Sequence, residues 1–321
     1  MIFIVRICIV ALASATLVLA PKSASFAILS ALCLAVPGII RARDAARGTA
    51  LSPAVHWAAL TTILGILSQI LATFEPLSSG RPLSGLVTYM MTLSALASLT
   101  SVLNARTPGA GAWAILNIML VVVFLIPLME GTGLRGAGRS LTWLRLDNPW
   151  TIFFWLLVVA GVTNYLPTKY GLAAALLAIG FGLEYHGLTH PGLPRHERAV
   201  FWSMFPMTWA TALIVADCSS RTASKAGTRL EAIWFLFRDH WGVVWALRVQ
   251  ERFNRSAESL GWPARLHWHG LLMSEDGAEW EPLAAESMLF GLLRRFVSQS
   301  RVEEALGTEA ERSCRRPDVR R

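Results

Sequence analysis

The stretch GLAAALLAIGFGLEYHGLTHPGLPRHER, residues 171–198, decides how this chain is laid out. Its strictly apolar part, Tyr170 to Leu183, has 14 residues. A helix needs roughly 17–25 to cross a bilayer. Ala174, Ala178 and Gly182 nevertheless form a ridge of small residues at four-residue spacing, and such ridges let helices approach closely. We read residues 169–186 as a spanning helix enclosed by its neighbours. If the run did not span, everything after it would change sides of the membrane.

Seven more apolar runs surround it, at about 2–20, 24–40, 54–73, 83–103, 111–129, 149–166 and 199–216. Backbone polar groups in lipid must be satisfied within the segment, so these runs are expected to be helices. The first run carries a late Arg6 and is followed by Pro21; it is read as an uncleaved helix, not a removed leader. The chain is 54% hydrophobic and 16% charged, against about a quarter charged in soluble domains. Residues 1–216 hold 13 basic and 6 acidic residues, and residues 217–321 hold 16 and 15. Seven of the eight net positive charges therefore sit in the short loops of residues 1–216, where they suit phospholipid headgroups. They do not form the concentrated face that nucleic acid requires, so no nucleic-acid partner is expected.

The expected fold is mainly α: a polytopic transmembrane bundle of about eight helices over residues 1–216, then a polar linker, 217–228. A small C-terminal α+β module follows at 229–305, with a disordered basic tail at 306–321. Within the module, residues 229–259 read as one helix ended by Gly261 and Pro263. Leu266, Trp268 and Leu272 roughly alternate with polar residues, and Asp276-Gly277 is the expected hairpin turn. A last helix is expected at 283–305. Eight basic residues on the side of the termini against seven on the other leave the orientation undecided by charge. The long charged tail favours a cytoplasmic C-terminus in an inner (cytoplasmic) membrane.

Sites for chemistry are few. His186 and His190 stand at i and i+4, a spacing that suits a metal on a helix, and His196 or Glu197 offers a third ligand. Gly187, Pro191, Gly192 and Pro194 are expected to stop the helix near His186, which removes that spacing. The main reading is a polar interfacial loop, with a metal site on His186, His190 and His196 as the chemical alternative. GTGLRG at 131–136 matches a dinucleotide fingerprint in letters only, since no strand precedes it. The four cysteines, Cys8, Cys33, Cys218 and Cys314, have no metal or redox spacing. No cofactor is expected.

Within the runs the polar residues are His56, Gln69, Asn117 and Asn164, while Glu130, Glu184 and Asp217 read as terminal. Asn117 and Asn164 are the intramembrane polar candidates, and asparagine in such places often glues helices. In the module, Trp234, Arg238, Trp241, Trp245, Arg248, Arg252 and Arg255 recur at spacings of three and four. This stripe is read as core packing, with contact to headgroups or a partner protein as its functional alternative. His267 and His269 are expected on one face of one strand.

Three functions follow from these features. The first is a non-enzymatic membrane scaffold or accessory subunit whose module contacts headgroups or a partner membrane protein. The second is a transporter or permease component for a lipid or weakly polar solute. The third is a metal-dependent membrane enzyme using the histidine loop.

Overall fold

The computed structural model describes residues 21–74, 83–105, 111–131, 148–190, 193–222, 226–273 and 281–297. The run at 2–20, the GTGLRG loop beyond Gly131, the Asp276-Gly277 turn and the tail at 306–321 lie outside the described residues. The described part is helical apart from one two-stranded sheet, and it divides into two compact units.

The first unit takes Met1–Ala45, Pro53–Asn104 and Gly111–Thr222. Its helices are α1 (Pro21–Ala46), α2 (Ser52–Phe74), α3 (Leu83–Leu103), α4 (Gly111–Gly131), α5 (Asn148–Thr163), α6 (Gly171–Thr189) and α7 (Arg195–Ser220). Among the described residues, five segments are long and apolar enough to cross a membrane: Ala24–Ala46, Ser52–Phe74, Leu83–Leu103, Gly171–Thr189 and Val200–Ser220. The 23 residues of α2 measure about 34 Å at 1.5 Å per residue, enough for the hydrocarbon core. Ile115–Pro127 and Asn148–Thr163 are shorter apolar helices. Ile63, Phe74, Ile115, Leu116, Ile152, Leu156 and Leu172 are all more than half exposed. A water-soluble surface does not carry such an apolar belt; a lipid-facing one does.

Inside the bundle, α3 is the most enclosed of the candidate spans, with Met91, Ala95, Leu96 and Ala97 fully buried. Its hydroxyls bond across to neighbouring backbone: Ser94 Oγ donates to the Trp57 carbonyl at 3.1 Å and Ser98 Oγ to that of Ala54 at 2.9 Å. Small residues bring α6 and α7 together. A Cβ on Gly187 would stand 2.6 Å from Cβ of Phe201, closer than packed carbons tolerate. That packing explains why α6 does not stop near His186 as the glycine and prolines suggest. It continues to Thr189, capped by the His190 N–H donating to the His186 carbonyl.

The second unit takes Ala46–Ser52, Ala105–Ala110 and Ala223–Arg321. Its main element is α8 (Arg229–Ser259), which opens on a capping box between Thr228 and Glu231. The sequence reads as one helix, but Gly242 breaks it at φ 75°, ψ −172°, a conformation open to glycine at low cost. Strands β1 (Ala264–His267) and β2 (Gly270–Met273) pair antiparallel, Leu266 against Leu271 and His267 against Gly270. The hairpin therefore turns at Trp268-His269, ahead of the expected Asp276-Gly277, and His269 lies in the turn, off the strand of His267. Gly270, at φ 132°, makes this tight reversal possible. The last helix, α9 (Pro282–Leu293), is shorter than expected.

Two segments from between the membrane helices join this unit. Ala50 N–H donates to the Phe296 carbonyl at 2.9 Å, and Thr49 forms an antiparallel bridge with Val297. Ala50 and Ala105 are buried in the same core as Trp234, Phe253 and Leu289.

Candidate functional site

The histidine stretch is more regular than its glycines and prolines imply. Because α6 runs to Thr189, the His186 and His190 rings lie 4.4 Å apart between centroids, and His186 also meets Phe201 at 5.0 Å. The side chain of His196 is outside the described residues. Among the described residues no group of three or more His, Cys, Asp or Glu side chains is placed to hold a metal ion. His186 lies tilted against His190 and edge-on to Phe201.

The tryptophans of the module stripe turn inward. Trp234 is fully buried, and its Nε1–H donates to the His267 carbonyl at 2.9 Å, tying α8 to the hairpin. Trp241 stacks on Phe237 at 5.0 Å, and Phe296 packs against Phe237, Trp241 and Trp245. Arg238 is a joint. Its Nη1 donates to the Trp268 carbonyl at 2.7 Å, its Nε and Nη2 donate to Asp239 Oδ1, and its guanidinium covers the Phe235 and Trp268 rings. Arg248 covers the Trp245 ring at 4.9 Å and remains exposed, as does Arg252. The exposed apolar side chains of the second half of α8 are Val244 and Leu247, and the outward face combines these two with Arg248, Arg252 and the exposed Glu251–Arg255 ion pair. Helical periodicity identifies a stripe but cannot say whether it faces a core or a membrane, and here the aromatic part is core.

Asn117 is buried on α4, where Nδ2 donates to Ser101 Oγ at 2.7 Å and Oδ1 accepts from Thr100 Oγ1 at 3.1 Å. It joins α4 to α3. Asn164 is buried in the turn after α5, its N–H donating to the Ala160 carbonyl.

Sequence reasoning passed over Glu184. It reads as a helix-terminal residue, yet it is completely buried, and neither carboxyl oxygen has a hydrogen-bond partner. The signal for it was available: Gly180, Glu184 and Gly187 fall at spacings of four and three, on the face that packs against α7. An ionisable residue within a membrane segment marks a functional site by default.

Searches against protein-family models, curated proteins and solved structures found no match to this chain.

Proposed function

We propose that the chain is a multi-pass protein of the inner (cytoplasmic) membrane that serves as a non-enzymatic scaffold or accessory subunit. Its second unit lies on the cytoplasmic side and engages anionic headgroups through Val244, Leu247, Arg248 and Arg252. The observation that carries this reading is the division of labour on α8: its tryptophans are spent in the unit's own core, while apolar and basic side chains stay outside together. That pairing suits the headgroup layer. Only eight residues separate the end of α7 at Ser220 from the start of α8 at Arg229, a tether of at most about 30 Å.

Connectivity supports the multi-pass reading. Ala46–Ser52, Ala105 and the chain after Ala223 belong to one compact unit. Segments of one such unit share a side of the membrane, so the crossings between them must be even in number. Helices α2 and α3 make two. Helices α6 and α7 add two more, and the shorter apolar helices α4 and α5 keep the count even when both cross or neither does.

The test uses the full chain in vesicles, with a fluorophore on Leu247→Cys in a background without other cysteines. In vesicles rich in anionic lipid, nitroxide-bearing lipids should quench it, and high salt should relieve the quenching. Equal fluorescence in anionic and zwitterionic vesicles would count against headgroup contact. A stoichiometric protein that co-purifies and shields Leu247 would move the contact from lipid to that partner.

A further inference from the structure

We propose that Glu184 is the charged group of an intramembrane site that takes up one positive charge, as a proton or a protonated amine. This goes beyond the scaffold reading and does not depend on it.

The placement of Glu184 comes from the packing of α6 on α7. The Phe181 and Phe205 rings meet at 5.1 Å, and Gly187 lies against Phe201. These two contacts bracket Glu184 and set it, in antiparallel register, opposite Trp202–Met204. Trp202 wedges between helices: a Cβ on Gly85 of α3 would stand 2.7 Å from its ring, and one on Gly187 would stand 3.7 Å from its Cδ1. Its Nε1 is buried without a hydrogen-bond partner. Trp209, two turns further along α7, donates to Thr62 Oγ1 of α2 at 2.9 Å. Ser68 Oγ of α2 donates to the Ser84 carbonyl of α3, beside the Gly85 that packs on Trp202, which brings Gln69 of α2 to the level of Trp202. Gln69 Oε1 is also buried without a partner. Among the described residues of the first unit, these three side chains hold all the buried polar atoms that lack a partner. They converge on one level from α2, α6 and α7.

Among the described residues, the ionisable groups around this level do not balance a carboxylate. Between Val200 and Ala216, α7 has none, and α5 has none along its length. On α6 the neighbours are Tyr185, whose hydroxyl shares a hydrogen bond with Thr151, and His186, whose ring lies against those of His190 and Phe201. On α3 there is Tyr89, which donates to the Phe124 carbonyl. An ionised carboxyl in an apolar interior is costly unless paired, so the site calls for a positive charge from outside. Calcium needs about six to eight oxygen ligands, more than this layer holds. Its aromatic walls, Phe181, Phe205 and Trp202, instead suit an ammonium group, which aromatic faces attract.

The experiment labels the full chain in liposomes with dicyclohexylcarbodiimide, which attacks protonated carboxyls in apolar surroundings, and maps the adduct by peptide mass spectrometry. Labelling is expected at Glu184 and should disappear in Glu184→Gln. A several-fold loss of labelling as pH rises identifies the proton as the occupant. Protection by methylammonium at constant pH identifies an amine. No adduct at Glu184, or labelling that responds to neither, overturns the proposal. Glu184→Gln is expected to melt with the wild type, because the carboxyl pairs with nothing in the fold. A melting temperature lowered as far as in Asn117→Ala would assign Glu184 a structural role and overturn the proposal equally.

Discussion

Glu184 and Glu231 are the same residue type in the two units of this protein, and they are used in opposite ways. Glu231 serves as a joint: Oε2 accepts from the Gly227 and Thr228 N–H groups, and Oε1 accepts from the Leu271 N–H of the hairpin. One carboxylate thereby closes the start of α8 and anchors β2. Glu184 is more deeply buried and accepts from nothing. Buried polar groups in folded proteins are nearly always hydrogen-bonded. The contrast therefore separates a carboxyl that holds the fold together from one that the fold holds in reserve.

Substitutions that sharpen this contrast should fall in a clear order. Trp234→Ala should be the most damaging, removing a fully buried indole and its bond to the His267 carbonyl, at about 3–5 kcal/mol. Denaturant unfolding of the second unit, followed by tryptophan fluorescence, measures it. Glu231→Ala should cost about 2–3 kcal/mol by the same assay, combining loss of a capping box with an unsatisfied Leu271 N–H. If Glu231→Ala proved neutral, the structural half of the contrast would fail. Asn117→Ala should cost about 1 kcal/mol in thermal melting of the first unit, the usual range for a hydrogen bond between membrane helices. Glu184→Gln should be smallest, close to zero.

The sequence made the helices legible wherever local chemistry agreed with tertiary packing. Gly261 and Pro263 mark the end of the helix read over 229–259, and the observed bounds of α8 agree. It misled where a distant contact overrode a local signal. Gly187 reads as a helix breaker but is held in α6 by Phe201. Asp276-Gly277 is a strong turn signal, yet the turn forms where Gly270 accepts a positive φ. The Trp234, Trp241 and Trp245 periodicity is equally compatible with a core or a membrane face, and only Phe237, Phe253 and Phe296 decide between them. Nothing local in residues 46–52 announces that they join the C-terminal unit, because the pairing of Thr49 with Val297 spans most of the chain. Glu184 was legible in type but not in depth, since its burial depends on how α7 lies against α6.

The proposed multi-pass reading rests most heavily on that long-range joining, which brings Thr49, Ala50, Ala105 and Val297 into one compact unit. The direct measurement pairs Thr49→Cys with Val297→Cys in a chain otherwise free of cysteine. Bridged antiparallel residues lie about 4.5–5.5 Å apart at Cα, within reach of a disulfide. Oxidation in membranes should link the two positions efficiently within one chain, and a membrane-impermeant thiol reagent should reach both from the same side. Failure to link, with the reagent reaching the two positions from opposite sides, would contradict the account.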